Sequence, residues 1–106
     1  MSARLIVRPQ VYWDLDEIAA FIQKDNPQSA LRFLESAETT IDSLAQMPGI
    51  GSLYPLPRSR FSELRCFPIK DFRNYLAFYD RTLTTIEVVR VLHGGRNLRP
   101  ILRRTP

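Results

Sequence analysis

The stretch VVRVLHGGRN, residues 88 to 97, brings together the only histidine of the chain, two glycines and two arginines. His93 is the one side chain whose ordinary pKa lies close to neutrality. Cleavage of an RNA phosphodiester through the ribose 2′-OH needs a base for that proton, an acid for the leaving oxygen and cations for the charge on the phosphorane. His93 with Arg90 or Arg96 could fill the first and last of these roles. The acid is harder to find, because Glu63 and Glu87 stand isolated in the sequence and there is no second histidine. The same neighbourhood also reads as a docking edge. Arg65, Arg73, Arg90, His93 and Arg96 fall on or beside neighbouring strand candidates, and a sheet lined by arginines can grip a phosphate chain or an acidic segment. A third reading leaves His93 as a strand-end imidazole bonded to backbone near Gly94, with Gly94 and Gly95 making a sharp turn at positive φ.

Other chemistries fit less well. There is no glycine-rich phosphate loop opening a helix, no serine or cysteine with triad partners and no cluster of carboxylates. One cysteine, Cys66, cannot form an internal disulfide, and with one histidine there are too few soft ligands for a zinc site. No metal and no cofactor are expected. No apolar run approaches the length of a membrane span, so a cytoplasmic protein without a membrane partner is expected. The length of 106 residues fits one domain, 1–106, closing on a basic tail at 98–106. Charge divides unevenly: residues 1–53 carry a net −3 and residues 54–106 a net +7, with thirteen of the fifteen cationic residues being arginine. Arginine's planar fork suits phosphates and carboxylates, which points to an anionic partner.

The elements that must position these residues follow from periodicity. Residues 3–8 read as a strand ending at Pro9. Val11, Leu15, Ile18 and Ile22 recur at helical spacing up to about Lys24, and Ala30, Leu34, Ala37, Ile41 and Leu44 trace a second helix that opens at Asn26-Pro27 and stops at Pro48-Gly49. A proline-rich loop follows, with Arg58 and Arg60 exposed. Residues 63–69, 73–80 and 85–93 read as three strands in a meander. Alternation places Ile86, Val88, Arg90 and Leu92 on one face of the last strand and Glu87, Val89, Val91 and His93 on the other. The predicted architecture is α+β in the order β-α-α-β-β-β, a two-helix hairpin packed on one face of a small, mainly antiparallel sheet. The last strand is apolar on both faces, so something must cover the second: the C-terminal tail, a second copy or a partner peptide.

The segments DLDEIAAFI, NPQSALRFLE, LAQMPGIG, the pair Leu64-Arg65, YLAFY and VVRVLHGGRN occur in this order between about residues 5 and 97. In this ordered set the chain resembles the ParE/RelE superfamily of toxins from type II toxin-antitoxin systems, and within it the ParE, or plasmid-stabilisation, branch. The resemblance implies a toxin held inactive by a cognate antitoxin, whose C-terminal segment wraps it and whose N-terminal part binds operator DNA. ParE-like members are inhibitors of DNA gyrase, whereas RelE-like members cleave messenger RNA in the ribosome. For the ParE branch, Arg65, Arg73, Arg90, His93 and Arg96 are the expected contacts to target or antitoxin, and no catalytic residue is implied. For the RelE branch, an endoribonuclease, His93 with Arg90 and Arg96 would do the chemistry; no aromatic residue follows Tyr79 to stack on a base there. A degenerate toxin that only binds antitoxin is the third form. Asn97 stands where the ParE branch commonly carries an aspartate.

Overall fold

The computed structural model describes residues 3–106. In chain order it forms β1 (Arg4–Val7), α1 (Pro9–Gln23), α2 (Pro27–Gln46), β2 (Ser52–Leu53), β3 (Leu64–Ile69), β4 (Phe72–Arg81), β5 (Thr85–His93) and α3 (Leu98–Arg104). This is the expected α+β framework with two additions, the two-residue strand β2 and the helix α3 in place of an irregular tail. Pro9 opens α1, where its missing amide costs no hydrogen bond. Asn26 caps α2, its Oδ1 accepting from the Ser29 amide at 3.0 Å, and Pro27 takes the first helical position.

The sheet order is β1-β5-β4-β3-β2. Strands β3, β4 and β5 form the expected antiparallel meander, and β1 lies parallel to β5, with Arg4 opposite Thr85 and Val7 opposite Val88. Proline is tolerated at position 68 of β3 because β2 covers that strand only at Arg65 and Cys66, leaving Pro68 on an open edge beside a register shift. The helical hairpin packs Val11, Leu15, Phe33, Ala37, Ile41 and Leu44 onto one sheet face.

The predicted alternation along β5 holds only for its first half. The register slips between Phe78 and Tyr79: Phe78 faces Arg90 while Tyr79 faces Val88, so β5 carries an extra residue. Ile86, Val88 and Val91 therefore share the helical core, while Val89 and Leu92 turn to the opposite face. That second face is closed by the chain itself. Leu56, Phe61 and Tyr54 from the loop before β3, with Leu98, Ile101 and Leu102 from α3, cover Phe78, Val89 and Leu92. The open alternatives thus resolve in favour of the C-terminal segment, and no partner peptide or second copy is needed directly on the sheet.

Tyr79 ties the loop after α2 to this platform. Its buried hydroxyl donates to the Pro48 carbonyl at 2.8 Å and accepts from the Gly51 amide at 2.9 Å, and burial pushes the phenol pKa up. A Cβ on Gly51 would lie 2.6 Å from the Tyr79 oxygen and 2.9 Å from the Cys66 carbonyl, so this glycine is required by close approach. Gly51→Ala is expected to cost about 2 to 3 kcal/mol in urea unfolding, combining overpacking with a lost buried hydrogen bond. A loss below about 0.5 kcal/mol, the scatter of surface substitutions, would show that the loop relaxes freely.

Candidate docking site

The site is built around the place where β5 loses its parallel neighbour. β1 ends at Val7 and the chain turns into α1, so the edge amides of β5 beyond Val88 have no strand to pair with. Asp14, on the second turn of α1, supplies the missing acceptor: its Oδ2 takes the Val91 amide at 3.0 Å. The same carboxylate accepts from Arg90 Nε at 2.9 Å and Nη2 at 2.8 Å, a forked, charge-assisted pair. Asp14 is only 6% exposed. Arg90 Nη1 also makes a long contact of 3.5 Å to Thr105 Oγ1, which joins α1, β5 and the end of α3.

Beside this buried pair, the C-terminal half of α1 and the ends of β4 and β5 enclose a groove of about 670 Å³. Ile18 and Phe21 of α1 and Val91 of β5 give it an apolar floor, and Glu17, Lys24 and Arg96 stand at its rim. His93 lines one wall, its ring edge-on to Tyr75 with centroids 5.1 Å apart. His93 Nδ1 accepts the Gly95 amide at 2.9 Å, which places the ring proton of the neutral form on Nε2. A Cβ on Gly95 would sit 3.0 Å from that ring. Neither Gly94 nor Gly95 has a positive φ, contrary to expectation: the turn needs glycine for closeness rather than for handedness.

The five predicted contact residues do not form one cluster. His93 and Arg96 meet in the groove, and Arg73 lies just beyond, two residues from Tyr75, which pairs with His93 across the sheet. Arg73 and Arg96 are exposed and take part in none of the ion pairs among the described residues. Arg65 and Arg90 are held by the fold. Arg65 donates to Glu63 at 2.7 Å and to the Gly51 carbonyl at 2.6 Å, and its hydrogen bond holds the Glu63 carboxyl below the usual carboxylate range. Arg90 is neutralised by Asp14. The acid candidates are also committed, Glu63 to Arg65 and Arg81, and Glu87 to Arg8 at 3.0 Å. Asn97 precedes α3 without a side-chain cap bond.

Sequence reasoning did not single out the part of the site contributed by α1. Trp13 and Phe21 are 74% and 64% exposed, a combination rare for large apolar residues, and Tyr12 and Leu31 are exposed nearby in the same helical layer. Trp13, Glu17, Phe21 and Lys24 follow one another at helical spacing, outside the buried stripe of Val11, Leu15 and Ala19. Two aromatics out of phase with the core stripe were the available signal. Chemically, the arrangement offers apolar anchors, a charged rim and one imidazole, which suits recognition of a protein segment. Among the described residues no three His, Cys, Asp or Glu side chains gather where a metal could sit, and no helix is long and apolar enough to cross a membrane.

A two-helix hairpin packed on a five-stranded sheet with an antiparallel meander defines a small α+β class of single-domain proteins. Residues 5–98 match the model of the ParE toxin of type II toxin-antitoxin system, parDE, and the chain belongs to that family. It is 31% identical over 88 residues to "Putative toxin Y4kP" of Sinorhizobium fredii, covering 83% of this chain and 84% of that one. Its fold is similar to a chain of the chromosomal ParDE TA system from P. aeruginosa, with a TM-score of 0.69 at 18% identity over 87% of this chain and 96% of the other. The protein is thus a toxin of the ParDE type.

Proposed function

We propose that this toxin acts by binding rather than cutting: it inhibits DNA gyrase and is neutralised by a cognate antitoxin that seats on α1 and the adjoining groove. The observation that carries the reading is the Asp14–Arg90 pair. An arginine whose charge is already matched by a buried carboxylate is not free to neutralise a phosphorane, which leaves His93 with Arg96 alone and without an acid partner, since Glu63 and Glu87 are themselves paired with arginines. Residues 1–106 work as one unit in the cytoplasm, plasmid stabilisation follows from toxin and antitoxin acting as a pair, and operator DNA is reached through the antitoxin. Arg73, His93 and Arg96 remain the exposed candidates for polar contacts to target or antitoxin.

The test is expression under a tight promoter, following supercoiling by purified gyrase alongside the integrity of cellular messages. Loss of supercoiling with intact messages is the expected result; messages cut within codons would instead establish the ribonuclease reading. In the same assay His93→Ala is expected to retain at least part of the toxicity, since no proton transfer depends on it, and complete loss in a folded variant would count for the nuclease. Trp13→Ala and Phe21→Ala are each expected to weaken antitoxin binding by about 2 kcal/mol or more, roughly thirtyfold, as aromatic anchors do. Titration calorimetry that shows neither variant weakened would place the antitoxin elsewhere.

A further inference from the structure

The layer that closes the second sheet face carries charge of one sign only. The loop residues 54–62 and the segment 98–106 contain five arginines, Arg58, Arg60, Arg99, Arg103 and Arg104, and no acidic residue. All five are exposed, and none joins an ion pair among the described residues. Loop and helix form one layer, because both pack on Phe78, Val89 and Leu92, and Arg99 lies over the Tyr54 ring at 5.7 Å while donating to the Pro55 carbonyl at 3.3 Å. The helical hairpin on the far side of the sheet holds seven acidic residues against one lysine and one arginine. The molecule is therefore electrically two-sided. Arg58 adds a second observation: it holds φ at 64°, a conformation that glycine adopts without strain, so arginine there serves something other than the turn.

We propose that this arginine plate binds the sugar-phosphate backbone of duplex DNA, directly and without sequence preference. A protein partner needs buried apolar anchors, and none of the exposed large apolar side chains among the described residues lies within residues 54–62 or 98–106; they sit on the two long helices, the turns and, at Leu53, the end of β2. A single strand needs aromatic faces for its bases, and the two aromatics of the loop are already covered, Tyr54 by Arg99 at 5.7 Å and Phe61 by Arg8 at 5.9 Å. Double-stranded-RNA-binding domains reach across about 16 base pairs to contact 2′-hydroxyls as well as phosphates, whereas arginines on a loop and a seven-residue helix offer a smaller set of contacts suited to phosphate alone. Phosphates of B-form DNA ask only for spaced cations. The site stands apart from the groove and requires no assumption about the toxin's target.

The experiment is fluorescence anisotropy of the purified full chain with a mixed-sequence 20-base-pair DNA duplex, without gyrase or antitoxin, so its outcome is separate from that of the supercoiling assay. With all five arginines engaged, log K should fall against log salt with a slope of about −4.5, roughly a 500-fold loss between 50 and 200 mM. Arg58→Gly, which keeps the backbone conformation, and the double variant Arg103→Gln with Arg104→Gln should each shallow the slope by about 0.9 per arginine removed. Arg32→Gln, on the acidic layer, should leave it unchanged. No binding at 50 mM salt, a slope indifferent to the plate variants, stronger binding of single-stranded DNA or duplex RNA, or competition by polyglutamate at equal charge would each overturn the proposal. Unchanged thermal midpoints of the variants exclude unfolding as the cause.

Discussion

Asp14→Ala is expected to destabilise the fold by about 3 to 5 kcal/mol, the usual result of removing one partner of a buried ion pair. The carboxylate holds two bonds from Arg90 and one from the Val91 amide. Its loss strands a guanidinium in a poorly hydrated site and orphans a strand-edge donor, and the donor alone is worth about 1 to 3 kcal/mol. For a domain whose whole stability is about 5 to 15 kcal/mol, the variant is close to unfolding at 37 °C. Thermal melts should show a drop of about 12 °C or more. Replacing both partners, Asp14→Leu with Arg90→Met, should cost less than the single change, because no unpaired charge is left behind. If the single variant loses under 1 kcal/mol, the pair behaves as a solvent-screened surface bridge. In that case Arg90 is free enough to act on phosphate, and the nuclease reading regains one of its cations.

The second large effect concerns α3. Leu102 is fully buried between the loop and the sheet, so Leu102→Ala is expected to cost about 2 to 5 kcal/mol in urea unfolding. Truncation after Asn97 should be worse, since it bares Phe78, Val89 and Leu92 and removes Thr105 from Arg90. The expected product is an aggregating species on size-exclusion chromatography, because an apolar face of that kind does not stay monomeric in water. A truncated chain that remains monomeric with an unchanged melting point would show that the loop alone closes the sheet. The distinction matters for any experiment on toxicity: a harmless truncation would report lost folding before it reported a lost contact.

Much of this architecture was legible before any coordinates. The two long helices announced themselves through Val11-Leu15-Ile18-Ile22 and Ala30-Leu34-Ala37-Ile41, since burial on a helix forces that spacing. The three-strand meander was legible for the same reason at a period of two. What escaped were features decided by the fold as a whole. The extra residue in β5 leaves no local mark, yet it carries Val91 and His93 to the helical side while Val89 and Leu92 go to the other. The Asp14–Arg90 pair joins residues 76 positions apart, and either could have met another partner. Helix α3 was obscured by Pro100 and its arginines, although Leu98, Ile101 and Leu102 do keep helical spacing. Of the contact residues, exposure at Arg73, His93 and Arg96 and captivity at Arg65 and Arg90 could be learned only from their neighbours.

The parallel pairing of β1 with β5 has a consequence for how the molecule comes into being. Of the five strands of this sheet, the first made must wait for the last, because β1 pairs only with β5. Until then the paired helices have only part of a floor to rest on, and the β3–β4 hairpin is open along one edge. Such distant partners make folding a late, concerted event, slower than in helical bundles of similar size. A toxin assembled in this order has no finished sheet until β5 has been made.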